Sequence, residues 1–116
     1  MNFSFNYPKK VIVGDISIRD GLQHEERFIS TDAKVYYAEQ LILAGVKRLE
    51  LTNLGSPRNL PQFRDAEELL RRVRESKTLA KAGVDWSQIE ITTVTIRESA
   101  VDRAIELKKR GVGPDR

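Results

Sequence analysis

Apolar residues recur along this chain in two alternating rhythms: short β-branched runs, then longer stripes at helical spacing. Val11-Ile12-Val13-Gly14-Asp15-Ile16-Ser17 reads as a buried strand. The next helix is expected from about Thr31 to Ala44, with Gly45 as its stop, because glycine readily takes the left-handed conformation that ends helices. Val46 to Thr52 reads as a second strand. After a loop containing Gly55, Pro57 and Pro61, the positions Phe63, Ala66, Leu69, Leu70 and Val73 make a helical stripe, and this unit closes near Gly83. Ile89 to Thr95 is again β-branched. Ser99 with Asp102 forms an S-x-x-D start for a helix through Lys109, which Gly111 ends.

Three strand-helix units in succession imply parallel pairing, since each helix supplies the crossover between neighbouring strands. The class is therefore α/β. A doubly wound sheet and a (β/α)8 barrel both begin this way, and periodicity does not choose between them. A complete barrel needs about 250 residues, so 116 residues accommodate three of eight units as one domain, the N-terminal part of an incomplete barrel. The tail Gly111 to Arg116 falls where a fourth strand would begin, and the expectation is that a longer polypeptide continues from it.

Composition narrows the function classes. Apolar residues are 40% of the chain, but no apolar run approaches the roughly 20 residues that span a bilayer, so no membrane partner is expected. Met1 to Pro8 lacks the basic and apolar regions of a secretion signal, and cysteine is absent. A cytoplasmic location is the expectation. A net charge of +3 raises the question of an anionic polymer, but bases and acids are interleaved, as where Arg71, Arg72 and Arg74 follow Glu67 and Glu68. With no helix-turn-helix or RNP-like aromatic pattern, no nucleic-acid partner is expected. Arg103, Lys108, Lys109 and Arg110 read as a solvated helix face, and Tyr36, Tyr37 and Trp86 as packing residues.

Reactive polar residues gather just after the strands, where βα loops build sites in both candidate architectures. In the first strand the pleat places Val13, Asp15 and Ser17 on one face and Ile12 and Ile16 on the other. Arg19-Asp20-Gly21-Leu22-Gln23 follows. A carboxylate beside a permanently charged guanidinium, with a glycine permitting a tight turn, suits a hard cation and an oxyanion. Taken alone, such a pair is more often a surface salt bridge or a turn. Glu50 shares a strand face with Arg48 and Thr52, opposite Leu49 and Leu51, and is expected to point toward Arg19 as a catalytic group or a structural ion pair. Ser56 is placed to touch substrate or to cap a turn before Pro57, and His24 reads as an exposed loop residue.

The run Asp15-x-x-x-Arg19-Asp20-Gly21-Leu22-Gln23 closely resembles the R-D-G-x-Q signature of the metal-dependent lyase and synthase TIM barrels that include hydroxymethylglutaryl-CoA lyase, isopropylmalate synthase and homocitrate synthase. Leu22, followed by Glu25 and Ser30-Thr31, is similar to the lyase form, as are the spacings of Ala44-Gly45, Glu50, Ser56-Pro57, Pro61-Gln62 and Asp65-Ala66-Glu67. The resemblance spans about residues 10 to 75. It implies that Asp20 ligates Mg²⁺ or Mn²⁺, that Arg19 faces the substrate carbonyl or developing enolate, and that Gln23 supports the site by hydrogen bonding. The implied reaction is retro-aldol cleavage of a 3-hydroxyacyl-CoA; the alternatives are a Claisen-type acyltransferase and a non-catalytic α/β binding module. The family's remaining ligands, an His-x-His pair and an Asn, are expected beyond Arg116, so the 116-residue chain alone is expected to be inactive and to associate with further copies or with the rest of a barrel. Departures at His24 to Arg27, Thr52 to Gly55 and Ile96-Arg97 bear on the substrate more than on the metal.

Overall fold

The computed structural model describes residues 3–116; Met1 and Asn2, and with them the first residues of the segment tested for a secretion signal, lie outside it. Three parallel strands form an open sheet in the order β1-β2-β3: β1 is Gly14–Asp15, β2 is Arg48–Asn53 and β3 is Glu90–Val94. Between them run α1 (Thr31–Leu43), α2 (Ala66–Arg74) and α3 (Lys77–Lys81), and α4 (Glu98–Lys109) follows β3. This is a partial barrel.

Local chemistry accounts for most boundaries. Ser30 caps α1 by accepting a hydrogen bond from the Ala33 N–H at 3.2 Å. At the other end Gly45 sits at φ +100°, and Val46 N–H bonds back to Leu41 O at 3.0 Å, closing the helix as expected. Between the apolar stripe and Gly83 the unit holds two helices: α2 stops at Arg74, and Ser76 starts α3 by accepting from Leu79 N–H at 3.2 Å while its hydroxyl donates to Glu39 at 2.6 Å. The expected S-x-x-D cap does not form. Helix α4 begins one residue before Ser99, with Arg97 at the cap position and no side-chain bond there.

The helices cover one face of the sheet. Leu49, Leu51, Ile89 and Ile91 pack on that side against Val35, Ala38, Ile42, Leu69, Leu70, Val73 and Leu107 in one continuous core. The opposite face is open and polar, with Asp15, Arg48, Glu50, Glu90 and Thr92 partly exposed. Arg48 and Glu90 are register partners there and pair at 2.9 Å.

Two expectations about the strands need correcting. The run Val11 to Ser17 is not a buried strand: only Gly14–Asp15 pairs with β2, and Val11, Ile12 and Val13 are exposed. As the edge of the sheet, β1 has a neighbour on one side only, so nothing covers those side chains. In β2 a bulge between Glu50 and Thr52 gives the strand one residue more than β3, so Leu51 and Thr52 are both buried and Thr52 leaves the face of Glu50. On the far edge the tail extends the sheet. Asp115 N–H bonds to Ile91 O at 2.7 Å and Thr93 N–H to Arg116 O at 2.9 Å, in the place anticipated for a fourth strand.

The aromatic and basic surface residues also differ from expectation. Tyr36 and Tyr37 are exposed on α1 rather than packed, whereas Trp86 packs against the core under the Arg74 guanidinium, 4.8 Å from the ring centroid. Arg103 is no free solvated charge: it pairs with Glu67 at 3.1 Å and donates to Leu54 O at 2.9 Å, fastening α4 to α2 and to the end of β2.

Candidate functional site at the strand ends

Immediately beyond β1 the chain winds into one π-helical turn, Ser17–Gly21, which carries Arg19 and Asp20 over the C-terminal end of the sheet. Asp15 launches the turn by accepting from the Ser17 N–H at 3.0 Å and from its hydroxyl at 2.6 Å. Ile18, fully buried, pins the turn to the core and leaves its two charged neighbours on the polar side. Turns of this widened kind concentrate at functional sites.

Arg19 is the hub. Its Nε donates to Glu50 on β2, and its Nη1 donates to Asp20 Oδ1 at 3.1 Å and to Gln23 Oε1 at 3.2 Å. The structure thus brings Arg19, Asp20, Gln23 and Glu50 into one bonded cluster. Arg19 and Glu50 are about four-fifths buried by side chain, while Asp20 is half exposed at 52%. Asp20 Oδ2 and Arg19 Nη2 take no partner among the described residues, so one anionic oxygen and the two N–H groups of Nη2 remain available at the surface of the cluster. Ser56 stays outside it: exposed at the head of a turn, it is engaged through its backbone carbonyl by the N–H groups of Asn59 and Leu60. His24 is exposed as expected.

Metal chemistry at this point rests on a single carboxylate. Among the described residues no group of three or more His, Cys, Asp or Glu side chains converges on a common point. The donor type nonetheless fits, because a half-exposed carboxylate with an unengaged oxygen suits a hard divalent cation. A concavity of about 900 Å³ lies elsewhere, at the N-terminal ends of the strands between Lys10, Lys47 and Arg116, and none of the cluster residues lines it.

Two features were not anticipated from the sequence. Thr52 and Thr93 are register partners near the strand ends, and each has a buried hydroxyl with no hydrogen-bond partner. Gln62, Lys34 and Asp65 form a buried network below the loop that follows Arg19–Gln23. Sequence spacing carries no signal for it, because its members are brought together only by the packing of α1 against the loop before α2.

No family model matches the sequence. Among curated proteins it is similar to the hydroxymethylglutaryl-CoA lyase of Bacillus subtilis, 33% identical over 78 residues, which are 67% of this chain and 26% of that protein. It is also similar to the human mitochondrial hydroxymethylglutaryl-CoA lyase, 35% identical over 68 residues, covering 59% of this chain and 21% of the human protein. The chain therefore spans about a quarter of the length of these relatives. Its fold matches the crystal structure of the B. subtilis HMG-CoA lyase with a TM-score of 0.69 and 26% identity over 88% of this chain and 31% of that one. It matches the HMG-CoA lyase of Acinetobacter baumannii, solved in complex with coenzyme A and 3-methylmalate, with a TM-score of 0.69 and 27% identity over 84% of this chain and 29% of that one. No helix among the described residues is long and apolar enough to cross a membrane.

Proposed function

Because the chain is hydroxymethylglutaryl-CoA lyase-like in its sequence and its partial-barrel fold, we propose that it contributes the first part of a site for divalent-metal-dependent retro-aldol cleavage of a 3-hydroxyacyl-CoA. The observation that carries this reading is the Arg19 cluster, with a guanidinium fixed on two sides and free on the third.

In the cleavage the 3-hydroxyl loses its proton, the C2–C3 bond breaks, and the electron pair passes into the thioester as an enolate. Arg19 is placed to meet that charge. Glu50 and Gln23 hold its plane from Nε and Nη1, so Nη2 can donate to the enolate oxygen without reorientation, the condition under which such a donor lowers a barrier. Asp20 would hold Mg²⁺ or Mn²⁺ through its free oxygen, and a cation bound there supplies positive charge to the same developing enolate. Ser56, on the exposed turn after β2, would contact substrate only from the rim of the site. The coenzyme A bound by the Acinetobacter enzyme supports a coenzyme A thioester as the substrate class.

Asp20→Asn tests this proposal. It keeps the side chain's shape and its acceptor for Arg19 while removing the anionic ligand, so the Mn²⁺ affinity of the full-length protein, measured by titration calorimetry, is expected to fall with an unchanged circular dichroism spectrum. Equal affinity in the two proteins would remove Asp20 from the metal site.

A further inference from the structure

We infer that Gln62 is a positioning residue for the Arg19 cluster, clamping the loop that leads away from it, with the buried Lys34–Asp65 pair as its anchor. The inference deepens the lyase-type reading and rests on it for the importance of the cluster. Residues 24–30 join the cluster to α1 without regular structure, so their backbone groups must find partners elsewhere. Gln62 supplies three. Its Oε1 accepts from Ile29 N–H at 2.8 Å, and its Nε2 donates to Glu25 O at 3.2 Å and Arg27 O at 2.9 Å. A carboxamide is the side chain that offers an acceptor and two donors on one plane.

Gln62 is in turn held from below. Its carbonyl accepts from Lys34 Nζ at 2.5 Å, Lys34 pairs with Asp65 Oδ1 at 2.9 Å, and Asp65 Oδ2 accepts from the Thr31 hydroxyl at 2.8 Å. The centre of the network is nearly inaccessible, with Gln62 at 6% exposure, Lys34 at 1% and Asp65 at 9%. Packing holds the loop at Phe28, whose ring meets Lys34 and Arg64, but not along its earlier residues. A concavity of about 450 Å³ separates Gln23, His24 and Glu26 from Asn59 and Leu60, so the loop has room to move where Gln62 does not fasten it. Within the loop, Glu25 N–H bonds to Leu22 O at 3.1 Å, and Gln23 is the residue whose Oε1 takes the Arg19 guanidinium. Release of the loop therefore passes directly to the residues that orient Arg19 and Asp20.

The test compares Gln62→Leu, which loses all three bonds, with Gln62→Glu, which keeps the acceptor for Ile29 and loses both donors. Amide exchange and Mn²⁺ titration are read on the same proteins. In Gln62→Leu the amides of Ile29 and Glu25 should exchange about tenfold faster, the factor set by one net hydrogen bond, with α1 and β2 unchanged and Mn²⁺ affinity reduced several-fold. Gln62→Glu should keep Ile29 protected while Glu25 accelerates, and it carries the test alone should Gln62→Leu not fold. Unchanged exchange at Glu25, or an equal rise over the entire chain, would overturn the inference. Wild-type protein that binds no Mn²⁺ would sink the metal reading by itself, while the Glu25 result would still decide the clamp.

Discussion

Replacing Lys34 by Met isolates the energetic weight of the buried pair. Methionine keeps an unbranched stem of similar volume, so the change removes a charge without opening a large cavity. In the native chain the Lys34 ammonium is 2.9 Å from Asp65 and 2.5 Å from the Gln62 carbonyl, and it lies 4.5 Å from the centre of the Phe28 ring. After the replacement Asp65, 6% exposed by side chain, keeps the Thr31 hydroxyl as its one side-chain donor among the described residues. Removing one partner of such a pair costs about 3–5 kcal/mol, because the other charge stays buried and uncompensated. A urea slope of about 1.5 kcal/mol/M converts that into a midpoint lower by roughly 2–3 M. The double change Lys34→Met with Asp65→Leu removes the stranded charge as well, and should recover most of the loss, since an apolar replacement of a buried pair is often neutral. Urea unfolding followed by tryptophan fluorescence at Trp86 reads all three proteins. A single variant with an unchanged midpoint and slope, or a double variant no better than the single, would refute the argument that pairing is what keeps these charges inside.

Two further outcomes are expected at the tail. A Cβ added at Gly113 would lie 2.2 Å from Lys108 N and 2.6 Å from Leu107 C, backbone atoms that cannot move aside, so Gly113→Ala should cost about 1–3 kcal/mol and lower the Tm by several degrees; an unchanged melt would contradict the close approach. Burial opposes ionisation of Asp115, but bonds from the Lys108 ammonium, the Ile91 N–H and the Arg74 guanidinium outweigh it and hold the carboxyl below its ordinary value. A depressed folded-state value means the stabilisation is present above the unfolded value of about 4 and is lost as pH falls through the folded one. The Ile91 amide should therefore lose protection on acidification below about pH 4, and Asp115→Asn should abolish that pH dependence; protection constant down to strongly acid pH would count against it.

The sequence was most legible where one residue decides a boundary. Ser30 and Gly45 bracket α1 because capping and left-handed glycine are local effects, and the stripe Ala66, Leu69, Leu70, Val73 is buried because its periodicity matches a helix on a sheet. Legibility failed where the answer depended on what lies alongside. Val11 to Val13 has a buried strand's composition, yet β1 has no neighbour on its outer side to make it one. The bulge at Leu51 is a mismatch between two strands, invisible in either alone. For the site, strand periodicity put Glu50 on the polar face, where it meets Arg19, although Ser56 did not join the cluster. Gln62 reaches Ile29 across 33 positions, and no local pattern encodes such a bond.

The polar face of the sheet links these parts. Barrel interiors are ordinarily filled with branched apolar side chains, but here β2 and β3 present Arg48, Glu50, Glu90 and Thr92 on the side away from the helices. Charge on that face is matched in tiers. At the lower level Arg48 and Arg116 flank Glu90 at 2.9 and 3.2 Å, and at the upper level Arg19 meets Glu50. Such pairing lets a strand carry acids inward without stranding them, at the cost of desolvating both partners. The two tiers differ in what they leave over. Glu90 is flanked by two guanidinium groups but accepts hydrogen bonds only at Oε2, from Arg48, whereas the upper tier uses one carboxylate to orient Arg19 and leaves Arg19 Nη2 and one oxygen of the adjacent Asp20 unengaged among the described residues. That residual capacity, at the strands' C-terminal ends, is what the proposed function requires of the Arg19 cluster beyond an ion pair. It also explains why the loop behind the cluster is fastened by a buried network: a donor aimed by so few contacts holds its direction only if the chain carrying it does not move.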